Sequence, residues 1–232
     1  MNERPEPVIA FVFVRGGSKG VKRKNLRELN GKPLLAHAIE QAKTAKSIDR
    51  VIVSTEDEEL AGVARTWGAE VPFMRPAELA SDDAPEWLAW QHAVQEIPET
   101  GTFVCVPATA PLRLPVDIDA CVDRFHEGGV DVVLTVTPAA HNPYFNMVTI
   151  DGAGLAQIAV KPETTLHHRQ SAPDMFDITT ICYAVAPAFI QRADGLFDGR
   201  VGVVEVPAER ALDIDTEFDL KIAKALLEGK ED

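Results

Sequence analysis

Residues 8 to 32, VIAFVFVRGGSKGVKRKNLRELNGK, constrain the fold most, because a continuous apolar run feeds directly into a glycine-rich, cationic loop. Val8 to Val14 has no polar alternation, which is the pattern of a strand buried on both faces in a parallel sheet. Between Arg15 and Lys32 there are seven cations (Arg15, Lys19, Lys22, Arg23, Lys24, Arg27 and Lys32) and one acid, Glu28. The whole chain carries a formal charge of -13, so a local excess of +6 leaves the remainder at -19. Such a loop suits a polyanionic small ligand, which responds to local potential rather than net charge. Gly16, Gly17 and Gly20 are expected to take up positive φ and turn backbone N–H groups toward phosphate oxygens. The spacing fits neither a Walker A loop, since Gly20 is followed by Val21-Lys22, nor the G-x-G-x-x-G dinucleotide fingerprint. The bland alternative is a basic surface turn, which explains one or two glycines but not the cluster of cations after a buried strand.

Apolar runs and helical periodicity alternate along the rest of the chain. Strands are expected at 8–14, 50–53, 102–106, 131–136, 178–185 and 201–206, with helices opening at Pro33 and over 56–67, 84–97, 116–127 and 216–227. That order predicts an α/β fold with a doubly wound, mostly parallel sheet and ligands outside the carboxyl ends of its strands. From His141 to about Gln170 the pattern changes to prolines, a Tyr144-Phe145 pair and an Asp151-Gly152 turn. This reads as an arm inserted at about 141–170 into a single domain spanning 1–232, the alternative being an ordinary surface hairpin with buried aromatics. Cys105, Cys121 and Cys182 are isolated and read as buried, reduced thiols. No apolar run reaches the roughly 18 residues of a membrane span. The polar MNERPEP start lacks a signal-peptide core, so the expected compartment is the cytoplasm. An acidic chain with one basic loop also argues against nucleic acid as a partner.

Further along, Asp213-Ile214-Asp215 offers two carboxylates at i and i+2, on one face if the segment is extended, as a hard divalent cation requires. Alternatively Asp215 caps the helix that Thr216-Glu217 opens. His167 and His168, without cysteine or carboxylate spacing, make a poor zinc site.

Seven segments in register resemble the acylneuraminate cytidylyltransferases, also called CMP-sialic acid synthetases, and their relatives acting on legionaminic, pseudaminic and other 2-keto sugar acids. They are RGGSKGVKRKN at 15–25, VIVSTEDEELA at 51–61, RPAELASDDA at 75–84, ATAPLR at 108–113, HNPYFNMV at 141–148, RQSAP at 169–173 and LDIDTEFDL at 212–220. The resemblance implies a nucleotide-diphospho-sugar-transferase-like fold whose inserted arm builds a homodimer. The implied reaction is transfer of CMP from CTP to the anomeric hydroxyl of a 2-keto sugar acid, with release of pyrophosphate. It implies Arg15 and Lys24 on the triphosphate, helped by Lys19 and Arg23, and Mg2+ on Asp215 and Asp213. It also implies Gly16, Gly17, Ser18, Asn25, Ser54, Arg75 and Asp82 around the nucleotide, and Arg169, Gln170 and Tyr183 around the sugar. For Ser54, an N-cap of the next helix is the competing reading, and for Arg169 a structural salt bridge. Two departures fall on the expected sugar side. Pro107 stands where many sialic acid synthetases carry glutamine, and Thr179 where they carry asparagine. They open the choice of sugar to legionaminate, pseudaminate or another 2-keto acid. A same-fold enzyme using another nucleotide, and a non-catalytic nucleotide binder, are the alternatives.

Overall fold

The computed structural model describes residues 6–18, 20–161 and 168–229. In chain order the strands are β1 (Val8–Phe13), β2 (Glu28–Leu29), β3 (Lys32–Pro33), β4 (Arg50–Ser54), β5 (Thr102–Cys105), β6 (Val132–Pro138), β7 (Val148–Ile150), β8 (Ala156–Ile158), β9 (Phe176–Val185) and β10 (Val201–Glu205). The helices are α1 (Leu34–Thr44), α2 (Glu58–Thr66), α3 (Glu86–Glu96), α4 (Pro115–His126), α5 (Pro187–Arg192) and α6 (Glu217–Glu228). Six strands form the central sheet in the order β10-β6-β9-β5-β1-β4, with β9 antiparallel to β5 and β6 and the other pairings parallel. The expected strands and long helices are therefore present to within a few residues. The six-residue α5 is an addition to the expected elements, being too short for a helical period to register.

The all-apolar character of β1 follows from its position. Val8, Ala10 and Val12 face a core shared with Leu35, Ile39 and Ala42 of α1, Leu60 of α2 and Ile118 and Val122 of α4. Ile9 and Phe11 face the opposite core, with Trp87, Trp90 and Val94 of α3 and Phe189 of α5. Helices thus cover both faces, and a strand between them has no polar side to display. The cysteines are free and buried. Among the described residues no helix is long and apolar enough to cross a membrane.

Two local devices shape the cleft end of the sheet. Asn30 and Gly31, at φ 49° and 73°, make the left-handed turn that joins β2 to β3 and sets the entry to α1. Pro138 at the end of β6 pairs with Phe176 at the start of β9, so the excursion between them springs from the same end of the sheet as the carboxyl ends of the parallel strands. That excursion carries the separate hairpin β7–β8, whose turn is held by Asp151 Oδ1 accepting from Ala153 N and Leu155 N, each at 2.9 Å. Phe145, one of the two aromatics in this stretch, is exposed rather than buried.

The β6–β9 register shifts between Leu134 and Val136, and the Thr135 side chain satisfies the groups the shift would strand. Its hydroxyl receives Thr179 Oγ1 (2.7 Å) and Cys182 N (3.2 Å) and donates to Cys182 O (3.2 Å). All of this is buried. Replacing Thr135 by Val keeps the shape but leaves those partners unmade. Denaturant unfolding of Thr135→Val should show a loss of about 1–3 kcal/mol with an unchanged denaturant slope.

Candidate active site

The main cleft has a volume of about 480 Å3 and lies where the loops after β1 and β5 diverge, at the point where the sheet reverses its winding. Arg15, Gly17, Ser18, Gly20, Lys24 and Asn25 line it from the loop after β1. Pro107, Ala108 and Thr109 line it from the loop after β5, Thr180 and Tyr183 from β9, and Asp215 from the segment before α6. Arg75, Asp82 and Glu86 close the remaining wall.

The loop conformation differs from expectation in one respect. Gly16 and Gly17 lack positive φ, and the left-handed residues nearby are Arg23, Asn30 and Gly31. Glycine is needed instead for close approach: a Cβ on Gly20 would collide with the main-chain carbonyl of Asp215, and one on Gly16 with the Asp57 carboxylate. The Gly16 N–H is spent on Glu56 Oε1 at 2.7 Å and does not line the cleft. Ser18 serves the loop itself, its hydroxyl donating to Val21 O and accepting from Lys24 N. Asn25, buried beneath, donates Nδ2–H to Arg15 O at 3.1 Å and so fixes the backbone that carries Arg15.

Most of the loop's cations are met by carboxylates from distant parts of the chain. Arg15 pairs with Asp82 at 2.6 Å and Lys24 with Asp215 at 3.0 Å, the latter also donating to Ile214 O at 2.7 Å. Arg23, expected as a helper on phosphate, is drawn off to Asp57 and Glu59 at the start of α2. Arg27 pairs with both oxygens of Glu217, and Lys32 with Glu40. Lys22 is exposed, and Lys19 lies outside the described residues. The concentrated charge of the sequence is therefore largely compensated in the fold.

The Asp213–Asp215 segment flanks the fully buried Ile214, whose N–H donates to Thr109 O at 2.8 Å. The two aspartates thereby sit beside the loop after β5. Asp213 Oδ1 is shielded from water and has no hydrogen-bond partner among the described residues. Burial pushes the Asp213 carboxyl above its usual range, opposed by Thr109 and reinforced by the nearby Asp215 charge. Asp215 is exposed and does not cap α6. The cap is Thr216, in a reciprocal box with Asp219, which leaves the Asp215 carboxylate for Lys24. A shielded carboxylate oxygen without a donor beside an open second carboxylate is a donor set that fits a hard, oxygen-seeking cation.

The remaining expected residues divide. Arg75 lines the cleft, but its Nη2 is committed to Val14 O (2.7 Å) and Glu56 Oε2 (2.9 Å), so it steadies the start of the loop. Ser54 is fully buried on β4 and does not reach the cleft. Tyr183 is on the cleft wall. Gln170 lines a different hollow of about 430 Å3, with Asn142 and Asp174. Arg169 opens a short 3-10 turn, and its side chain lies outside the described residues. The side chain of Thr179 points to Thr135, and it is its neighbour Thr180, with a buried hydroxyl near the Asp213 carboxyl, that lines the cleft. Thr180 and Glu86 escape sequence reasoning, since a threonine in an apolar strand and an acid in a helix carry no distinguishing spacing. Arg113, fully buried below, donates to Pro107 O and Thr180 O, and burial lowers its pKa to about 10, so it stays cationic at neutral pH. Because Gly20 has no room for a side chain, Gly20→Val should separate the loop from Asp215. The expected result is an activity loss exceeding tenfold and destabilisation of about 1–3 kcal/mol, read by steady-state kinetics and denaturant unfolding.

Comparison with known proteins identifies the family. The cytidylyltransferase family model matches residues 9–183. Post-translational flagellin modification protein B of Campylobacter coli is 33% identical over 228 residues, covering 96% of each chain. CMP-N,N'-diacetyllegionaminic acid synthase of Campylobacter jejuni shows the same identity and coverage. The solved structure of CMP:2-keto-3-deoxy-manno-octonic acid synthetase complexed with CTP superposes with a TM-score of 0.73 over 97% of this chain and 99% of that one, at 15% identity, which bears on the fold alone. A glycine-rich cationic loop packed on a carboxylate segment at the switch point of a mostly parallel sheet is, in this chain, the framework of a member of the cytidylyltransferase family.

Proposed function

We propose that the chain transfers CMP from CTP to the anomeric hydroxyl of a sialic-acid-like 2-keto sugar acid. The observation that carries this reading is the meeting, across one cleft, of Arg15 and Lys24 with Asp215, with the part-buried Asp213 two residues before it on the same segment. The sugar hydroxyl attacks the α-phosphorus of CTP, a P–O bond forms, the bridging bond to the β-phosphate breaks, and pyrophosphate leaves. Charge neutralisation and in-line positioning are what this transfer demands. Arg15 and Lys24 meet the triphosphate, whose oxygens replace their present partners Asp82 and Asp215. Asp215 and Asp213 would hold Mg2+, which would supply charge stabilisation to the phosphates. Asn25, Ser18 and Arg75 hold the loop and so position Arg15 and Lys24.

Among acceptor sugars, legionaminate ranks first, because a relative of 33% identity bears the name of a CMP-N,N'-diacetyllegionaminic acid synthase. Tyr183 and Thr180 line the wall for the sugar. Gln170 sits on another hollow in its own protomer, and the exposed apolar side chains Ile150, Met147 and Phe145 of the arm invite a second copy. A homodimer whose arms project from the cleft end of the sheet accounts for both. The reaction belongs in the cytoplasm, where CTP is available.

Pyrophosphate release should be measured with CTP and Mg2+ against legionaminate, pseudaminate, N-acetylneuraminate and eight-carbon 2-keto acids, each repeated with other nucleoside triphosphates. Release with CTP and one sugar is expected. CTP binding with silence across the panel would favour the binding-only alternative, and release with another nucleotide the same-fold alternative. Asp215→Ala should cut turnover about 100-fold or more while leaving nucleotide affinity measurable; unchanged turnover removes Asp215 from the site. Sedimentation should show a dimer for the native chain and a shift toward monomer for Ile150→Lys, whose parent side chain is 70% exposed.

A further inference from the structure

Three carboxylates line the main cleft, and they are not equivalent. Asp82 is paired with Arg15 and Asp215 with Lys24, while Glu86 has no cation at ion-pair distance among the described residues. Its one hydrogen bond is a long one, from Trp90 Nε1 at 3.3 Å. Arg75 exerts some attraction, but its Nη2 is committed to Val14 O and Glu56. Glu86 is the first residue of α3 and, though protein crowds round it, remains exposed through the cleft. The nearby protein raises its carboxyl above the usual range, with the Trp90 N–H and Arg75 opposing. Water satisfies this exposed carboxylate in the open cleft, so a bound group seated against Glu86 must donate a hydrogen bond in the water's place.

The surroundings of Glu86 indicate which group. Phe13, Leu79, Ala80, Ala84 and Ala89 line the same cleft, an apolar set that suits the faces of a flat ring, with Glu86 as the polar contact at its edge. The 2-keto acid carries its own negative charge and would be repelled by this carboxylate, whereas a nucleobase is uncharged. Resting on the cytidylyl-transfer reading above, we propose that Glu86 is a specificity-determining residue that accepts a hydrogen bond from the exocyclic amine of the cytosine base. The same carboxylate turns away uracil, which presents a carbonyl oxygen at that position. The pairing is the one by which carboxylates read cytosine N4 in nucleic acids.

The test is equilibrium binding of CTP and UTP, each with Mg2+, to the full chain and to Glu86→Gln and Glu86→Asp, by calorimetry, so that turnover plays no part. The native chain should prefer CTP. Glu86→Gln, whose amide both donates and accepts at near-identical volume, should narrow the CTP-to-UTP affinity ratio about tenfold or more, chiefly by weakening CTP. Glu86→Asp, which keeps the charge on a shorter stem, should weaken CTP yet retain its preference over UTP. An unchanged ratio in Glu86→Gln overturns the assignment while leaving the cytidylyl-transfer reading intact. In companion kinetics, a change confined to the KM of the sugar acid overturns it as well and moves Glu86 to the acceptor. A native chain that binds CTP and UTP equally overturns the assignment of the base, and one that binds neither overturns the functional reading with it.

Discussion

The docking of the loop after β1 onto the segment before α6 is the contact on which the site depends. Almost two hundred residues of chain separate Lys24 from Asp215, yet Lys24 Nζ reaches both the Asp215 carboxylate and the Ile214 carbonyl. Arg27 grips Glu217 with both terminal guanidinium nitrogens, and Leu29, Leu34, Ile214, Leu220 and Ala223 form a small apolar cluster beneath. Exposed ion pairs alone contribute little to stability. Here the apolar cluster supplies the adhesion and the charged groups set the register. Gly20 completes the arrangement by leaving room for the Asp215 carbonyl. The result holds cations and carboxylates in one cleft before any ligand arrives, which lowers the ordering cost of binding.

Compensation of charge is the second theme. The loop that looks strongly positive in the sequence is threaded through Asp82, Asp57, Glu59, Asp215, Glu217 and Glu40. A polyanion entering the cleft therefore exchanges partners with resident carboxylates rather than filling an open positive well. Arg23 and Arg27 are spent on architecture, each paired with a neighbouring helix, which leaves Arg15 and Lys24 as the loop cations that line the cleft among the described residues.

Much of the fold was legible because its signals are local. The unbroken apolar run of β1 announces burial on both faces, and both cores indeed meet there. Asp57 and Thr216 cap their helices through short-range hydrogen bonds that composition suggests. The misreadings arise where the outcome depends on what lies opposite. Gly16 and Gly20 are needed for close contact with Asp57 and Asp215, and nothing local distinguishes that use from a left-handed turn. Ser54 looked available at a strand end but is sealed by packing, and Thr180 rather than Thr179 faces the cleft, beside the register shift at Thr135.

The sequence by itself determined the alternating α/β architecture, the phosphate-seeking character of the loop after β1 and the aspartate pair, since each is written in residues close together along the chain. Only the tertiary structure decided which cations remain on the cleft, which threonine lines it, and that Glu86 stands there without a cationic partner among the described residues. The reason is physical. Backbone periodicity and burial are set by neighbours a few residues away, whereas a charge acquires its meaning from whatever opposite or like charge the fold brings within a few ångströms of it.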